Sequence, residues 1–237
     1  MKTATIGVLS GMGPRSTSPF LELILDECQR QYGAKYDIDY PHIIIYSLPT
    51  PFYIDRKIDE ELLKNSIKEG IEKLESCGAD VIAVPCNSAH QYFEYITKDI
   101  KVPVLNIIEE TTLLLESRTR VTILATEITM TSGLYQEKIK EKDCEFVFIK
   151  EWQLCINEII LKIKSQESLS EARVLWKKLI EEIYCEDVDT IIIACTDLNV
   201  VIDKEMTKVK FLDSSKQLAS ELVKRYLSIK HLDISKK

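Results

Sequence analysis

The 237-residue chain is 45% hydrophobic and 29% charged, enough to bury one large core or two modest ones. Its net charge of -7 and pI near 5.2 argue against a nucleic-acid partner, because the phosphate backbone rewards a basic surface. The apolar run before the first glycine loop is too short for a signal peptide, and no segment reaches the length of a membrane span, so a soluble cytoplasmic protein with no membrane partner is expected.

Strands alternate with helices along the chain. Thr5 to Leu9 reads as a strand, followed by the loop Ser10-Gly11-Met12-Gly13-Pro14 and a helix from Thr17 to Tyr32 with apolar residues at helical spacing. Ile43 to Leu48 is the next strand, then come a proline-bearing stretch from Pro49, a helix from Glu60 to Cys77, the strand Val81 to Pro85 and a helix beginning near Asn87. Val102 to Asn106 closes the first half as a strand, with a helix from Glu109 to Glu116 leading out. The second half restarts the pattern. Arg120 to Thr126 echoes the first strand, and Thr129 to Tyr135 takes the place of the glycine loop before a helix ending near Lys142. A strand follows at Glu145 to Ile149, then helical pattern over Asn157 to Ile163 and Leu169 to Tyr184, and the strand Thr190 to Ala194. Val209 to Asp213 is the last strand, before a helix to about Leu227 that Ser214 or Ser215 can cap, and a tail expected to fray.

This alternation predicts an α/β protein with parallel sheets covered on both faces. The half-length period predicts duplicated α/β domains, with the active site in the cleft between them.

Two matching segments carry the chemistry. Gly-Ala-Asp80-Val-Ile82-Ala-Val-Pro85-Cys86-Asn87-Ser88-Ala-His90 and Val-Asp189-Thr-Ile191-Ile-Ile-Ala194-Cys195-Thr196-Asp197 each place Asp six residues and Ile four residues before a cysteine. Ligands of parallel α/β sheets bind outside the carboxyl ends of the strands, where Gly11 to Pro14, Cys86 to Ser88, Thr126 and Cys195 to Asp197 fall. A thiol at a helix N-terminus feels the positive end of the dipole, which favours the thiolate, and the adjacent N–H groups favour a carboxylate. A single strand-end cysteine more often packs than reacts; two at matching positions of a repeat suggest paired proton-transfer groups. His90, one helical turn beyond Cys86, reads equally as a tuning group or a packing residue, and Asp80 and Asp189 read as turn or cap residues. The other cysteines, Cys28, Cys77, Cys144, Cys155 and Cys185, read as small apolar residues of helices. The odd total of seven, without C-x-x-C, argues against a disulfide scaffold and a zinc site. Gly11-Met-Gly13-Pro lacks the third glycine of a dinucleotide fingerprint and the glycine-lysine pair of a phosphate loop.

Gly11-Met12-Gly13-Pro14-Arg15-Ser16-Thr17, Pro85-Cys86-Asn87-Ser88-Ala89-His90, Leu124-Ala125-Thr126 with Thr131-Ser-Gly-Leu-Tyr135, and Ala194-Cys195-Thr196-Asp197-Leu198, in this order, resemble the aspartate/glutamate racemase superfamily over nearly the whole chain. The resemblance implies racemisation of an amino acid, aspartate or glutamate first, by an isomerase that needs no cofactor, no metal and no pyridoxal phosphate. It implies two pseudo-symmetric domains, 1–105 plus 209–237 and 106–208, with the terminal helix packed back on the first, and a homodimer. Cys86 and Cys195 match the catalytic cysteines, one withdrawing the α-hydrogen while the other returns a proton to the opposite face. Met12, Asn87, Ser88, Thr126, Thr196 and Asp197 match substrate-contacting positions. Where acidic-substrate members place an arginine after the second strand, this chain has Pro49-Thr50-Pro51-Phe52-Tyr53; Arg56, Lys162 and Lys164 are the nearest candidates for that charge, and a less polar or broader range is the alternative. A cysteine-dependent isomerase of an unsaturated diacid, a non-catalytic amino-acid-binding protein and a thiol redox protein are the other readings.

Overall fold

The computed structural model describes residues 4–53, 58–165, 168–202 and 209–235. They divide into two compact units, Met1–Ile107 with Ser215–Lys237, and Ile108–Ser214. In the first, β1 (Thr5–Ser10), α1 (Thr17–Tyr32), β2 (His42–Ser47), α2 (Glu60–Ser76), β3 (Val81–Ala83), α3 (Phe93–Thr97) and β4 (Val104–Leu105) follow in chain order. The four strands form a parallel sheet in the order β2-β1-β3-β4. Then come α4 (Ile107–Thr112), β5 (Arg120–Ala125), α5 (Glu127–Thr131), α6 (Leu134–Glu141), β6 (Glu145–Phe146), α7 (Lys150–Ser165), α8 (Leu169–Cys185), β7 (Thr190–Ala194) and β8 (Lys210–Asp213). Their sheet, β6-β5-β7-β8, is also parallel and repeats the order of the first. The last helix, α9 (Ser214–Ser235), belongs from Ser215 onward with the first unit, where the Gln31 side chain of α1 donates to the Ser220 carbonyl at 2.8 Å.

The central strands are apolar because helices cover both faces of each sheet. Ile191, Ile192 and Ile193 of β7 and Val81, Ile82 and Ala83 of β3 are all buried. Each isoleucine so placed contributes about 1.5–3 kcal/mol of transfer free energy. In the first unit Leu63, Ile67, Ile71 and Leu74 present one face of α2 to Leu9, Ile82 and Val84. Asp59 caps that helix, its carboxylate accepting the Leu62 N–H at 3.0 Å. In the second, Trp152, Ile156, Ile159, Ile160 and Ile163 of α7 pack with Trp176, Leu179, Ile180 and Ile183 of α8 over Ile191 and Ile193.

The two aspartates of the sequence repeat make the same clasp in both sheets. The Asp80 carboxylate accepts the Thr5 N–H at 2.8 Å while its own N–H donates to the Thr5 carbonyl at 2.8 Å. The Asp189 carboxylate accepts the Arg120 N–H at 2.8 Å, and its N–H donates to the Arg120 carbonyl at 2.9 Å. Each clasp fixes where the cysteine-bearing strand starts against the first strand of its sheet, and so where it ends.

Several elements differ from the sequence expectation. The strand ending at Asp213, assigned by sequence to the first domain, pairs with β7, and Phe211 stacks on Trp176 with centroids 6.4 Å apart, inside the second core. α7 starts at Lys150 rather than Asn157, because Trp152 and Ile156 extend its buried face backwards. Thr129 to Tyr135 is two short helices meeting at Gly133, not a polar loop. β3 stops at Ala83, short of Pro85, and α9 continues to Ser235 where fraying was expected. Among the described residues, no helix is long and apolar enough to cross a membrane.

Replacing Asp80 by alanine should lower unfolding free energy by about 1–2 kcal/mol, since it orphans a partly buried N–H, and Asp189→Ala by less because that clasp is exposed. Urea unfolding followed by circular dichroism measures both; equal, negligible shifts would mean the clasps do not set the register.

Candidate active site

In each sheet the strand order reverses between the first strand and the cysteine-bearing one, and ligands of open parallel sheets bind at such a reversal, beyond the carboxyl ends. The β5–β7 register ends at Ala125↔Ala194, so Thr126 and Cys195 stand side by side at the next position. The β1–β3 register ends at Val8↔Ala83, and the same count brings Gly11 level with Cys86. Both cysteines are extended residues immediately preceding a 3-10 helix. Cys86, at φ -146 and ψ 107, leads into Asn87–Tyr92; Cys195, at φ -141 and ψ 119, leads into Thr196–Val200. These helices have only 6 and 5 residues, so the aligned dipole expected to favour the thiolates shrinks to the few N–H groups of a single turn.

Around Cys86, the first unit gathers Gly11, Met12, Asn87, Ser88 and His90. Gly11 sits at φ 97, and a Cβ there would meet the Leu48 backbone, 2.6 Å from its nitrogen and closer still to its oxygen. Only glycine brings the β1 loop this near the end of β2, where the Leu48 N–H donates to the Ser10 carbonyl at 3.0 Å. Met12 packs against the first core, and Asn87 and Ser88 are buried although polar. The Ser10 hydroxyl, buried at the end of β1, has no hydrogen-bond partner among the described residues. A bound polar group would offset that desolvation. Ser10 had no chemical signal in the sequence beyond its place before Gly11.

His90 is 2% exposed, with its ring stacked on Phe93 at 5.4 Å between centroids. Nε2 lies 3.2 Å from the Ile107 N–H and 3.4 Å from the Leu105 carbonyl, and Nδ1 lies 2.9 Å from the Cys86 carbonyl; the two shorter contacts fit the tautomer in which Nδ1–H donates to Cys86 and Nε2 accepts from Ile107. Burial lowers the pKa of His90 from its usual value, outweighing the backbone carbonyls of Cys86 and Leu105 that favour the charged ring. The ring is thus neutral and bound to the Cys86 backbone.

Around Cys195, the second unit gathers Thr126, Thr196 and Asp197. Cys195 is 7% exposed, at the edge of the second core, whereas Cys86 is half-buried. Thr126 caps α5, its hydroxyl oxygen accepting the Thr129 N–H at 3.3 Å. Asp197 is buried against Lys164 of α7, Nζ to Oδ2 2.7 Å, with the lysine side chain 30% exposed. Gln153 of α7 donates to the Ala125 carbonyl at 3.0 Å and to Asn157 Oδ1 at 2.8 Å, tying the end of β5 to α7. Starting α7 late in the sequence hid Gln153; the apolar spacing through Trp152 was the signal for it.

Of the cations considered for a substrate carboxylate, Lys162 is paired on the surface with Glu158 and Glu171, and Arg56 lies outside the described residues. Tyr135 is fully buried with its hydroxyl between Thr111 and Ser214, an anchor of the second unit. Burial pushes the Cys28 and Cys155 thiols up in pKa, as suits packing residues. Cys77 and Cys185 are exposed, contrary to the apolar role expected of them.

The Asp/Glu/Hydantoin racemase family model matches residues 9–222, almost the whole chain. The chain belongs to that family. It is accordingly a racemase, an isomerase. It is 45% identical to the broad specificity amino-acid racemase RacX of Bacillus subtilis over 224 residues, 94% of this chain and 98% of that protein. It is 28% identical to the glutamate racemase of Persephonella marina over 202 residues, 81% of this chain and 76% of that one. The structure of Picrophilus torridus aspartate racemase superposes with a TM-score of 0.80 at 28% identity, covering 94% of both chains. The two-sheet α/β fold expected from sequence is therefore the fold of racemases.

The lowered pKa of His90 carries a stability consequence. Below its unfolded value, about 6.5, the unfolded chain takes up a proton that the folded ring refuses, so stability declines as pH falls from there to the folded value. Thermal unfolding from pH 7.5 down to 5 should show this decline in the native protein, and a shallower one in His90→Asn.

Proposed function

We propose that the protein racemises free amino acids of broad side-chain class by two-base proton transfer between Cys86 and Cys195, without a cofactor or metal. The observation that carries this reading is the equivalence of the cysteines: same strand of the repeat, same extended backbone, same turn of 3-10 helix after them. Inverting a stereocentre needs a proton-transfer group on each face of the carbon, and a duplicated domain supplies two copies of one such group. The Cys86 thiolate takes the α-hydrogen as a proton, leaving the electron pair delocalised into the carboxylate; the Cys195 thiol gives its proton to the opposite face. The cysteines end in exchanged protonation states, ready for the other enantiomer. Peptide N–H groups of the two turns, the Ser10, Ser88, Thr126 and Thr196 hydroxyls and the Asn87 amide are the donors proposed for the carboxylate, with Met12 lining the site. Asp197 is the acceptor proposed for the ammonium group.

Aspartate and glutamate lie within the proposed range but are not its centre. Pro49-Thr50-Pro51-Phe52 stands where an arginine would grip a second carboxylate, and the charge of Lys164 is met by Asp197. The broad specificity of the Bacillus subtilis relative supports the same reading. A homodimer in the cytoplasm remains the expected assembly and location.

Proton NMR in deuterium oxide with both enantiomers of aspartate, alanine and lysine, as acidic, neutral and basic probes, tests this. Loss of the α-hydrogen signal, with the antipode appearing on chiral chromatography of the same samples, is expected for more than one probe without added cofactor. Cys86→Ser and Cys195→Ser should each abolish interconversion, a loss of about 100-fold or more for removing a proton-transfer group. Turnover confined to aspartate would refute the breadth, and silence with all probes in reduced protein would move the assignment to a diacid isomerase or a binding protein.

A further inference from the structure

We propose that His90 is a positioning residue for Cys86, a side-chain replacement for the sheet ladder that Pro85 interrupts. The inference rests on the proposed role of Cys86 in proton transfer. The β3–β4 pairing consists of Ile82↔Val104 and Ala83↔Leu105 alone. One residue further the pairing would reach Val84 and Asn106, and then Pro85, which has no N–H to donate. Cys86 therefore lies beyond the last rung on that side, and strand pairing does not fix its carbonyl.

The imidazole spans this gap. Nδ1–H holds the Cys86 carbonyl at 2.9 Å, and Nε2 accepts the N–H of Ile107, in the chain leaving β4, at 3.2 Å. One ring thus joins the extension of β3 to the extension of β4. On its other side the Cys86 N–H donates to the Val84 carbonyl at 2.8 Å, so both polar groups of the Cys86 backbone are tied and the sulfur is left with only its χ1 rotation. Protonating the ring would remove the acceptor for Ile107, which is consistent with its neutral state.

The second half shows why only one cysteine needs such a device. The residue before Cys195 is Ala194, paired with Ala125 in an unbroken ladder. The residue four beyond Cys195, in the place of His90, is Asn199, whose side-chain oxygen is buried with no partner among the described residues. Cys195 is delivered by the strand; Cys86 is delivered by the strand and a histidine.

Two substitutions separate the functions of the ring. Asparagine at 90 reproduces a donor at the δ position, toward the Cys86 carbonyl, and glutamine an acceptor at the ε position, toward Ile107. The measurement is deuterium wash-in at the α-carbon from each enantiomer of the fastest probe, with kcat and KM for racemisation, in native protein, His90→Asn, His90→Gln, Cys86→Ser and Cys195→Ser. Misplacing a reacting group costs about 10- to 100-fold. His90→Gln should lose that much in kcat with KM within about twofold. Its loss of wash-in should fall on the enantiomer whose exchange Cys86→Ser abolishes, sparing the one that depends on Cys195. His90→Asn should recover most of the rate.

A loss that is equal for both enantiomers, or equal in the two histidine variants, would overturn the positioning role and leave a general fold contribution. Unchanged rates in both variants would overturn it too. If Cys86→Ser itself leaves exchange of both enantiomers intact, the two-thiol reading fails and the inference with it; asymmetric exchange in the cysteine variants with none in the histidine variants sinks the inference alone.

Discussion

Each half of the molecule depends on a parallel strand that is buried on both faces and must stop at a fixed point. The buried apolar runs of β3 and β7 have no solvent-facing side to trade against, so a slip of one residue would turn Cys86 or Cys195 from the strand end into the sheet. The aspartate at the start of each run prevents this with one side-chain and one main-chain bond to the backbone of the first strand, at Thr5 in one sheet and Arg120 in the other. Register set at one end of the strand becomes thiol position at the other.

Beyond the strand ends the two halves diverge, and the divergence is chemical. In the first unit a proline ends the ladder and a neutral histidine takes over the backbone. In the second the ladder runs up to the cysteine, and the turn after it is held by an ion pair between Asp197 and Lys164. A carboxylate buried to this degree needs a partner, since an uncompensated buried charge is far costlier than a buried pair. The pair therefore secures the turn. The two cysteine-bearing strand ends thus share a backbone course and differ in their neighbours.

The alternation of strands and helices, the half-length period and the cysteine repeat were legible because buried parallel strands are written as apolar runs between turn residues. Boundaries were less legible where a side chain, not the backbone pattern, decides them. Pro85 reads as the end of a strand run, yet pairing stops at Ala83 because the proline cannot donate. Val209 to Asp213 carries no mark of which sheet it joins, and only Phe211 meeting Trp176 decides it. The early turns of α7, and with them Gln153, are hidden because Lys150 to Gln153 offers only Trp152 as a buried apolar position, too little to mark a helix before Asn157. The spacing of His90 from Cys86 is legible in the sequence, but spacing cannot tell a ring that touches a thiol from one that holds a carbonyl. The Lys164–Asp197 contact links residues far apart in sequence, so no local pattern encodes it.

Racemisation by two thiols requires that different groups handle the proton on the two faces of the α-carbon. Starting from one pure enantiomer in deuterium oxide and stopping at a few per cent conversion, mass spectrometry of the separated antipodes tests it most directly. Two bases predict product deuterated at the α-carbon while the remaining substrate keeps its hydrogen. Product that retains the original hydrogen, or deuterium entering substrate and product alike, would mean that a single base serves both faces and would refute the two-thiol proposal.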